Sequence, residues 1–285
     1  MLHSTFIVHF ECESWNILWK EKKLKKSTKW FLEKARVVIS RLIGKEIFIT
    51  LRPIVNVKLH KNAVTNGQSM ALYADLVEKF CTFSPSNVFE VGANYAQDAE
   101  YLRKRFGLED KDIYIFEPHP SIIREVNSMY GFNSYDIAIS NYDGKAVFHA
   151  IDVENNEYKN SGISSLKEGL FTDKRNFVDT EVDVIRMDTF MHREGIGSID
   201  FLKIDVEGAN FEVIDGFGEE LSKVKAVQVE GEYKEYWEGQ KLYWDMALLL
   251  KKNDFELVYF SLSDDGIQSD SFWVQKQYLS GFKKT

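Results

Sequence analysis

From Asn87 onward, short apolar runs of strand length alternate with amphipathic stretches of helix length, and this alternation constrains the fold more than any other feature. Asn87–Val91, Asp112–Glu117, Tyr135–Ile139, Phe201–Asp205 and Val224–Glu230 read as strands. Tyr95–Phe106, stopped by Gly107, then His119–Tyr130, a short segment around Asn210–Asp215, and Leu242–Lys252 read as helices. Ala146–Asp152 and Glu181–Ile185 look like additional strands flanking a polar insertion, Val153–Thr180, and Glu256–Ser261 with Ser271–Gln275 are two last strands. Strands alternating with helices imply an α/β fold, in which a parallel sheet has both faces covered.

Upstream, Met70, Leu72, Tyr73, Leu76, Val77 and Phe80 recur at helical spacing, and Ser84-Pro85-Ser86 ends that segment. Before it, Ser27 can cap a helix reaching Ile43, with Gly44 as its stop, and residues 46–66 read as short strands or an extended arm broken by Pro53 and Asn56. The expected organisation is a basic helical and extended region, 1–67, and a catalytic-type domain, 68–285, carrying the insertion 153–180.

Charge separates these two parts. Residues 1–45 hold ten Lys or Arg against four acids, a net +6, so the −8 of the whole chain leaves −14 for residues 46–285. An acidic body argues against nucleic-acid binding, which needs a basic face to neutralise phosphates. The basic end suits a solvated helix, or a peripheral contact with anionic lipid or substrate. No apolar run approaches the roughly 18 residues of a spanning helix, and the start lacks the basic stretch of a signal peptide. The cysteines Cys12 and Cys81 make neither a disulfide framework nor a zinc site, and a reducing, cytoplasmic setting is expected.

In such a sheet, ligands bind outside the carboxyl ends of the strands, so the residues just after each strand matter most. Gly92 follows the first strand and allows a tight turn and a close backbone approach. It stands alone, without the three glycines of G-x-G-x-x-G, so a pyrophosphate cradle is not expected. Glu117 ends the second strand, where an acid grips ribose hydroxyls in nucleotide-binding folds of this class. On the third strand Ile137 or Ala138 can pack on a base, and Asp136 can accept from an amino group. The sharpest feature is Lys203-Ile204-Asp205-Val206-Glu207-Gly208, whose charged residues alternate and so share one face on a strand. The next strand ends in Glu230. If the two strands are neighbours, Asp205 and Glu230 face one cleft and can share a divalent ion, or one can serve as a general base. The blander reading of Lys203 is a cation that satisfies a core acid.

The segments EVGANYAQDAEYLRKRFG, IYIFEPHPS, SGISSL, VIRMDTFM, IDFLKIDVEGANFEVIDG and VQVE, followed by FELVYFSL and SFWVQK, resemble in order the FkbM-type methyltransferases over residues 68–277. The resemblance implies a Rossmann-like, seven-stranded, mostly parallel sheet with a final antiparallel hairpin. It implies S-adenosylmethionine as methyl donor and transfer to an oxygen, commonly a hydroxyl of a sugar or secondary metabolite. Carried over by position, Glu90, Gly92 and Asn94 would contact the methionine half of the cofactor, with Ala93 beside them. Glu117, next to Pro118, would bind ribose, and Asp136, Ile137 and Ala138 would border adenine. Asp205 would lie at the reacting end. The chain departs from the pattern at Glu90, where aspartate is usual, and at Ala96, where a second glycine is common.

A hydroxyl is a poor nucleophile, so transfer needs a group that removes its proton. The catalytic candidates are Asp205 and Glu230, with Lys203 orienting Asp205; a divalent cation is compatible with them but not required. His119 and His149 are secondary candidates for the base. The insertion, with Ser161, Ser164 and Ser165, is long enough for a lid. Two other readings share the fold. The absent glycine pattern counts against an NAD-dependent oxidoreductase, and the acids at three strand ends count against a non-enzymatic adaptor.

Overall fold

A computed structural model describes residues 68–155, 161–170, 176–263 and 266–281. Cys12, the expected helix from Ser27, the expected strands within 46–66 and the whole basic region lie outside the described residues, as do 156–160 and 171–175 of the insertion.

The elements follow the hydropathy pattern. Helix α1 (Gln68–Phe80) precedes β1 (Val88–Val91), α2 (Gln97–Phe106), β2 (Ile113–Phe116), α3 (Pro120–Met129), β3 (Asn133–Tyr135) and β4 (Ala138–Ser140). There follow β5 (Gly144–Ile151), β6 (Phe177–Arg186), α4 (Met187–Glu194), β7 (Ile199–Ile204) and α5 (Asn210–Asp215). The chain then runs through β8 (Val224–Glu232), α6 (Tyr243–Lys252), β9 (Phe255–Leu262) and β10 (Gln268–Gln275). The large sheet has the order β3-β2-β1-β7-β8-β10-β9. Its first five strands are parallel, and β10 runs antiparallel to both β8 and β9. This is the expected mostly parallel seven-stranded sheet with its closing hairpin.

Burial explains the strands. Every residue of β1 and β7 is buried, which is what a central parallel strand covered on both faces requires. One face of the sheet packs on α1, α2 and α3 through Tyr73, Leu102 and Ile122. The other packs on α4, α5 and α6 through Phe190, Ile214 and Leu250. At the amino end of β7 the buried carboxylate of Asp200 is satisfied by Ser86, whose N–H and hydroxyl donate at 2.8 and 2.7 Å, and by Lys225 at 2.7 Å.

Four features differ from expectation, one being that β6 begins at Phe177, inside the expected insertion 153–180, because its first residues pair with the end of β5. The run Tyr135–Ile139 is two strands in two sheets: Tyr135 ends β3, whereas Ala138–Ser140 pairs with Val184–Arg186 in a small sheet of order β4-β6-β5. The chain leaves the large sheet there: β3 is its edge, and the exposed Asp136 and the half-buried Ile137 form an irregular step between the two sheets. Helix α2 begins at Gln97 instead of Tyr95, because Asn94 and Ala96 are left-handed, with φ of 47° and 54°. Helix α4 was not expected; it buries Met187, Phe190 and Met191 at helical spacing and stops at a left-handed Gly195.

The small sheet docks where the end of α5 meets β4. A Cβ at Gly216 would lie 2.1 Å from the Ser140 carbonyl oxygen, far inside contact distance. Gly216→Ala is therefore expected to destabilise the protein by about 1–3 kcal/mol, as over-packed sites do. Gly197→Ala, where a Cβ would meet nothing within 4 Å, should leave the melting temperature within a degree or so of wild type. Differential scanning fluorimetry of both variants checks this, and equal melting temperatures would refute the packing argument.

Candidate active site

The carboxyl ends of β1, β2, β7 and β8 open onto a cleft of about 590 Å³, within the roughly 300–1,000 Å³ of small-molecule sites. Its floor is a backbone knot. The N–H groups of Gly92 and Ala93 donate to the Phe116 carbonyl at 3.0 and 3.2 Å, and the Asp205 N–H donates to the Val91 carbonyl at 2.9 Å. Gly92 has φ +77°, and a Cβ there would sit 2.0 Å from the Asp205 carbonyl oxygen. Only glycine permits both this conformation and this approach. The next turn accepts alanine at Ala96 in a left-handed conformation, a strain of about 1–2 kcal/mol relative to glycine.

Glu117 is held over this floor. Its two carboxylate oxygens accept from the backbone N–H groups of Asn94 (2.7 Å) and His119 (2.9 Å). Each oxygen keeps a further lone pair, and the residue lines the cleft with Pro118. Burial pushes its carboxyl up to about 7 against the pull of the two N–H bonds, with the Asp205 charge adding to the rise. Ile137 and Ala138 line the cleft beside it, joined by Phe148, Ile163 and Leu166; Asp136 is exposed and does not line the cleft.

On β1 and β7, Glu90 and Lys203 are direct cross-strand partners. Lys203 Nζ lies 2.9 Å from Glu90, 3.2 Å from Asp98 and 3.5 Å from Asp205. The other Glu90 oxygen accepts from the Ala99 N–H at 2.9 Å. Lys203 thus satisfies a core acid first and reaches Asp205 at longer range. Burial pushes Glu90 up to about 7, against the attraction of Lys203. Burial alone would lower Lys203, but Glu90, Asp205 and Asp98 together outweigh it and hold the lysine above its ordinary value, so it stays protonated.

Strands β7 and β8 are neighbours, with Ile204 opposite Val229, so Asp205 comes level with Glu230. Glu230 in turn pairs with Asp270 on β10. Burial raises Glu230 well above the carboxylate range, and Asp205 is the largest of the neighbouring charges that raise it further. Glu207 leaves the strand alternation, because its φ is +41°. Asn210 ties the loop down: its Oδ1 accepts from the Val206 N–H (3.0 Å) and its Nδ2 donates to the Glu230 carbonyl (3.2 Å). Among the described residues no group of three or more His, Cys, Asp or Glu is disposed to hold a metal ion.

The serines of the insertion strap one side of the cleft. Ser161 Oγ donates to Asn94 Oδ1 (3.0 Å), Ser164 Oγ accepts from the Ile151 N–H (3.0 Å), and Ser165 Oγ donates to the Glu207 carbonyl (2.6 Å). Both histidines are engaged elsewhere. His119 caps α3, accepting from the Ser121 N–H, while its Nε2 meets the Ile151 carbonyl at 2.9 Å. His149 pairs with Asp179 at 2.7 Å, and neither ring lines the cleft.

Sequence reasoning passed over Asp98, Glu232, Trp237 and Asp270. Glu232 was within reach, because it alternates with Glu230 and so shares its strand face. Trp237 gave no signal: it is 1% exposed and lies against Gly208, where a Cβ would come within 2.4 Å of the indole.

The model of the Methyltransferase FkbM domain family matches residues 90–257. The "2-O-methyltransferase NoeI" of Sinorhizobium fredii (strain NBRC 101917 / NGR234) is 29% identical over 163 residues, 54% of this chain and 66% of NoeI. The chain thus spans just under two thirds of that relative's length. Among solved structures, the methyltransferase FkbM from Methylobacillus flagellatus KT aligns over 66% of this chain and 44% of its own, with 10% identity and a TM-score of 0.40. M. capricolum TrmK in complex with S-adenosyl-homocysteine aligns over 78% and 73%, with 8% identity and a TM-score of 0.40.

The buried acids make stability depend on pH in an unusual direction. Glu90, Glu117, Glu230 and Asp270, the last pushed by burial to about 6, all hold their protons more tightly folded than unfolded. For Glu90, Glu117 and Asp270 this contributes stability that is full below about pH 4 and lost as pH rises through about 6–7, and Glu230 acts in the same direction. The ligand-free protein should therefore melt at a higher temperature at pH 5.5 than at pH 8. A melting temperature that rises with pH across this window would show that these carboxyls are ionised in the folded state.

Proposed function

The chain belongs to the FkbM methyltransferase family, and we propose that it transfers the methyl group of S-adenosylmethionine to a hydroxyl oxygen of a sugar, glycan or related hydroxylated metabolite. The observation that carries this reading is Glu117: a buried carboxylate at the end of β2, held through both oxygens by backbone and still open to the cleft. A carboxylate so held is suited to the paired hydroxyls of a ribose. The apolar wall of Ile137, Ala138 and Ile163 suits a purine. The glycine turn at Gly92–Asn94, backed by Glu90, Asp98 and Lys203, suits the charged amino-acid end.

S-adenosylmethionine supplies an electrophilic methyl group on a positively charged sulfur. The chain has to hold the acceptor hydroxyl in line with that methyl, exclude water and take the hydroxyl proton. Glu230 is the group we assign to the proton, because burial and the neighbouring Asp205 make its carboxylate a stronger base than a solvated one. Asp205, kept near it by the Asn210 bridge and approached by Lys203, accepts from the acceptor's hydroxyls and orients them. Transfer to oxygen is supported by family membership and by the oxygen specificity in the name of NoeI. A cleft end rich in carboxylates, which are acceptors for hydroxyl donors, supports the sugar or glycan class. We assign the basic residues 1–67 to an acceptor or to an anionic surface, and no role to nucleic acid.

Glu117→Gln tests the cofactor site more cleanly than alanine, which would orphan two backbone N–H groups. Loss of a charge-assisted hydrogen bond worth about 1.5–3 kcal/mol should weaken S-adenosylhomocysteine binding about 10–150-fold. Calorimetry on the folded variant measures this; unchanged affinity removes Glu117 from the site, and no binding to wild type at millimolar ligand overturns the methyltransferase reading. With hydroxylated acceptors screened for a methyl-sized mass gain, Glu230→Gln should cut turnover about 10²–10⁴-fold. Full activity in both Glu230→Gln and Asp205→Asn would place the chemistry elsewhere.

A further inference from the structure

The Glu117 carboxylate is both the start and the end of a closed hydrogen-bonded circuit. One of its oxygens accepts from the Asn94 N–H at 2.7 Å, and the Asn94 side-chain oxygen accepts from Ser161 Oγ at 3.0 Å. Three residues on, Ser164 Oγ accepts from the Ile151 N–H at 3.0 Å. The Ile151 carbonyl meets His119 Nε2 at 2.9 Å, and the His119 N–H returns to the other Glu117 oxygen at 2.9 Å. The circuit passes through the turn after β1, the insertion, the end of β5 and the turn after β2. His119 does more in it than its local position requires. Its Nδ1 accepts from the Ser121 N–H at 3.3 Å, which is the whole task of a helix cap. An accepting Nδ1 leaves the proton on Nε2, so the opposite edge of the imidazole donates to Ile151. His119 is 5% exposed and Ile151 1%, so water does not stand in for either partner.

We infer that His119 is a positioning residue of the donor site: its imidazole closes the circuit that holds the Glu117 carboxylate, and the insertion shares in that hold. The inference rests on the donor assigned above and on Glu117 as its ribose ligand. A carboxylate fixed through both oxygens by backbone N–H groups is only as well placed as the two turns that carry those groups. Ser161 steadies the first turn and His119 the second, and residues 161–164 with Ile151 join the two. Opening the circuit at either tie loosens the support behind the binding group, and the donor is held less well. A His119 that only capped α3 would behave differently. Asparagine is among the best capping residues and places its oxygen near the position of Nδ1, but it falls short of Ile151. Glutamine is a poorer cap, and its amide nitrogen reaches the position of Nε2 and donates to the Ile151 carbonyl. Capping and closing the circuit therefore rank the two replacements in opposite order.

Calorimetry with S-adenosylhomocysteine on the full chain tests this without an acceptor, with melting temperatures recorded alongside. His119→Asn should weaken binding roughly three- to tenfold, the loss of one hydrogen bond, while His119→Gln stays within about twofold of wild type. Ser161→Ala opens the same circuit at Asn94 and should cost a similar factor. The double variant His119→Asn/Ser161→Ala should bind within about twofold of the weaker single variant, because a circuit already open has little further to lose. Two losses that multiply overturn the inference, as does an asparagine variant that binds as well as wild type, and both leave the donor assignment standing. If both histidine replacements weaken binding, the double variant decides. If His119→Asn does not fold, Ser161→Ala decides alone: the stated loss upholds the circuit and unchanged affinity refutes it. Absence of binding to wild type at millimolar ligand overturns the donor assignment itself.

Discussion

The buried ammonium of Lys203 is the interaction on which the rest of the site depends. A lysine at 6% exposure in a central strand is tenable only where carboxylates surround it, and three do, at 2.9, 3.2 and 3.5 Å. Each comes from a different place: Glu90 from β1, Asp98 from α2, and Asp205 from the loop after β7. One charge therefore fixes the registration of the first strand, the helix that follows it and the loop after β7. Removing it would leave Glu90 buried without a counter-charge, a situation that costs about 3–5 kcal/mol when one partner of a buried pair is lost.

Backbone contacts do for the loops what Lys203 does for the side chains. Gly92 lets the turn after β1 touch the Asp205 carbonyl, and Gly208 lets the next loop lie under Trp237. Asn210 then closes the loop against β8. The two strand-end loops that bear the site are thus packed on each other instead of standing free. This is how carboxylates with raised proton affinity are kept in fixed positions, since a mobile loop would let each turn toward water.

The insertion has a comparable logic. Its serines spend their hydroxyls on Asn94, on the Ile151 N–H and on the Glu207 carbonyl, so the segment around 161–166 joins the turn after β1 to the loop after β7. Lys167 continues the strap, meeting Glu212 on α5 at 2.9 Å. A polar stretch that looks like an untidy loop in sequence is, over its described part, a wall of the cleft.

Much of this was readable before any coordinates. Hydropathy period determined the α/β class, most of the alternation of strands and helices, and the strand-end positions of Gly92, Glu117, Asp205 and Glu230, because those are local properties of a chain alternating between two backbone periods. Helix α4 was legible too, through Met187, Phe190 and Met191 before Gly195. The tertiary structure decided what depends on neighbours distant in sequence. It sent Tyr135 and Ala138 to different sheets, turned Lys203 toward Glu90 more closely than toward Asp205, engaged His119 and His149 away from the cleft, and set Asp270 against Glu230. No local pattern contains these facts. Strand pairing and burial set the local dielectric and the nearest charges, and these decide whether an acid is a solvated surface group or a base at the end of a cleft.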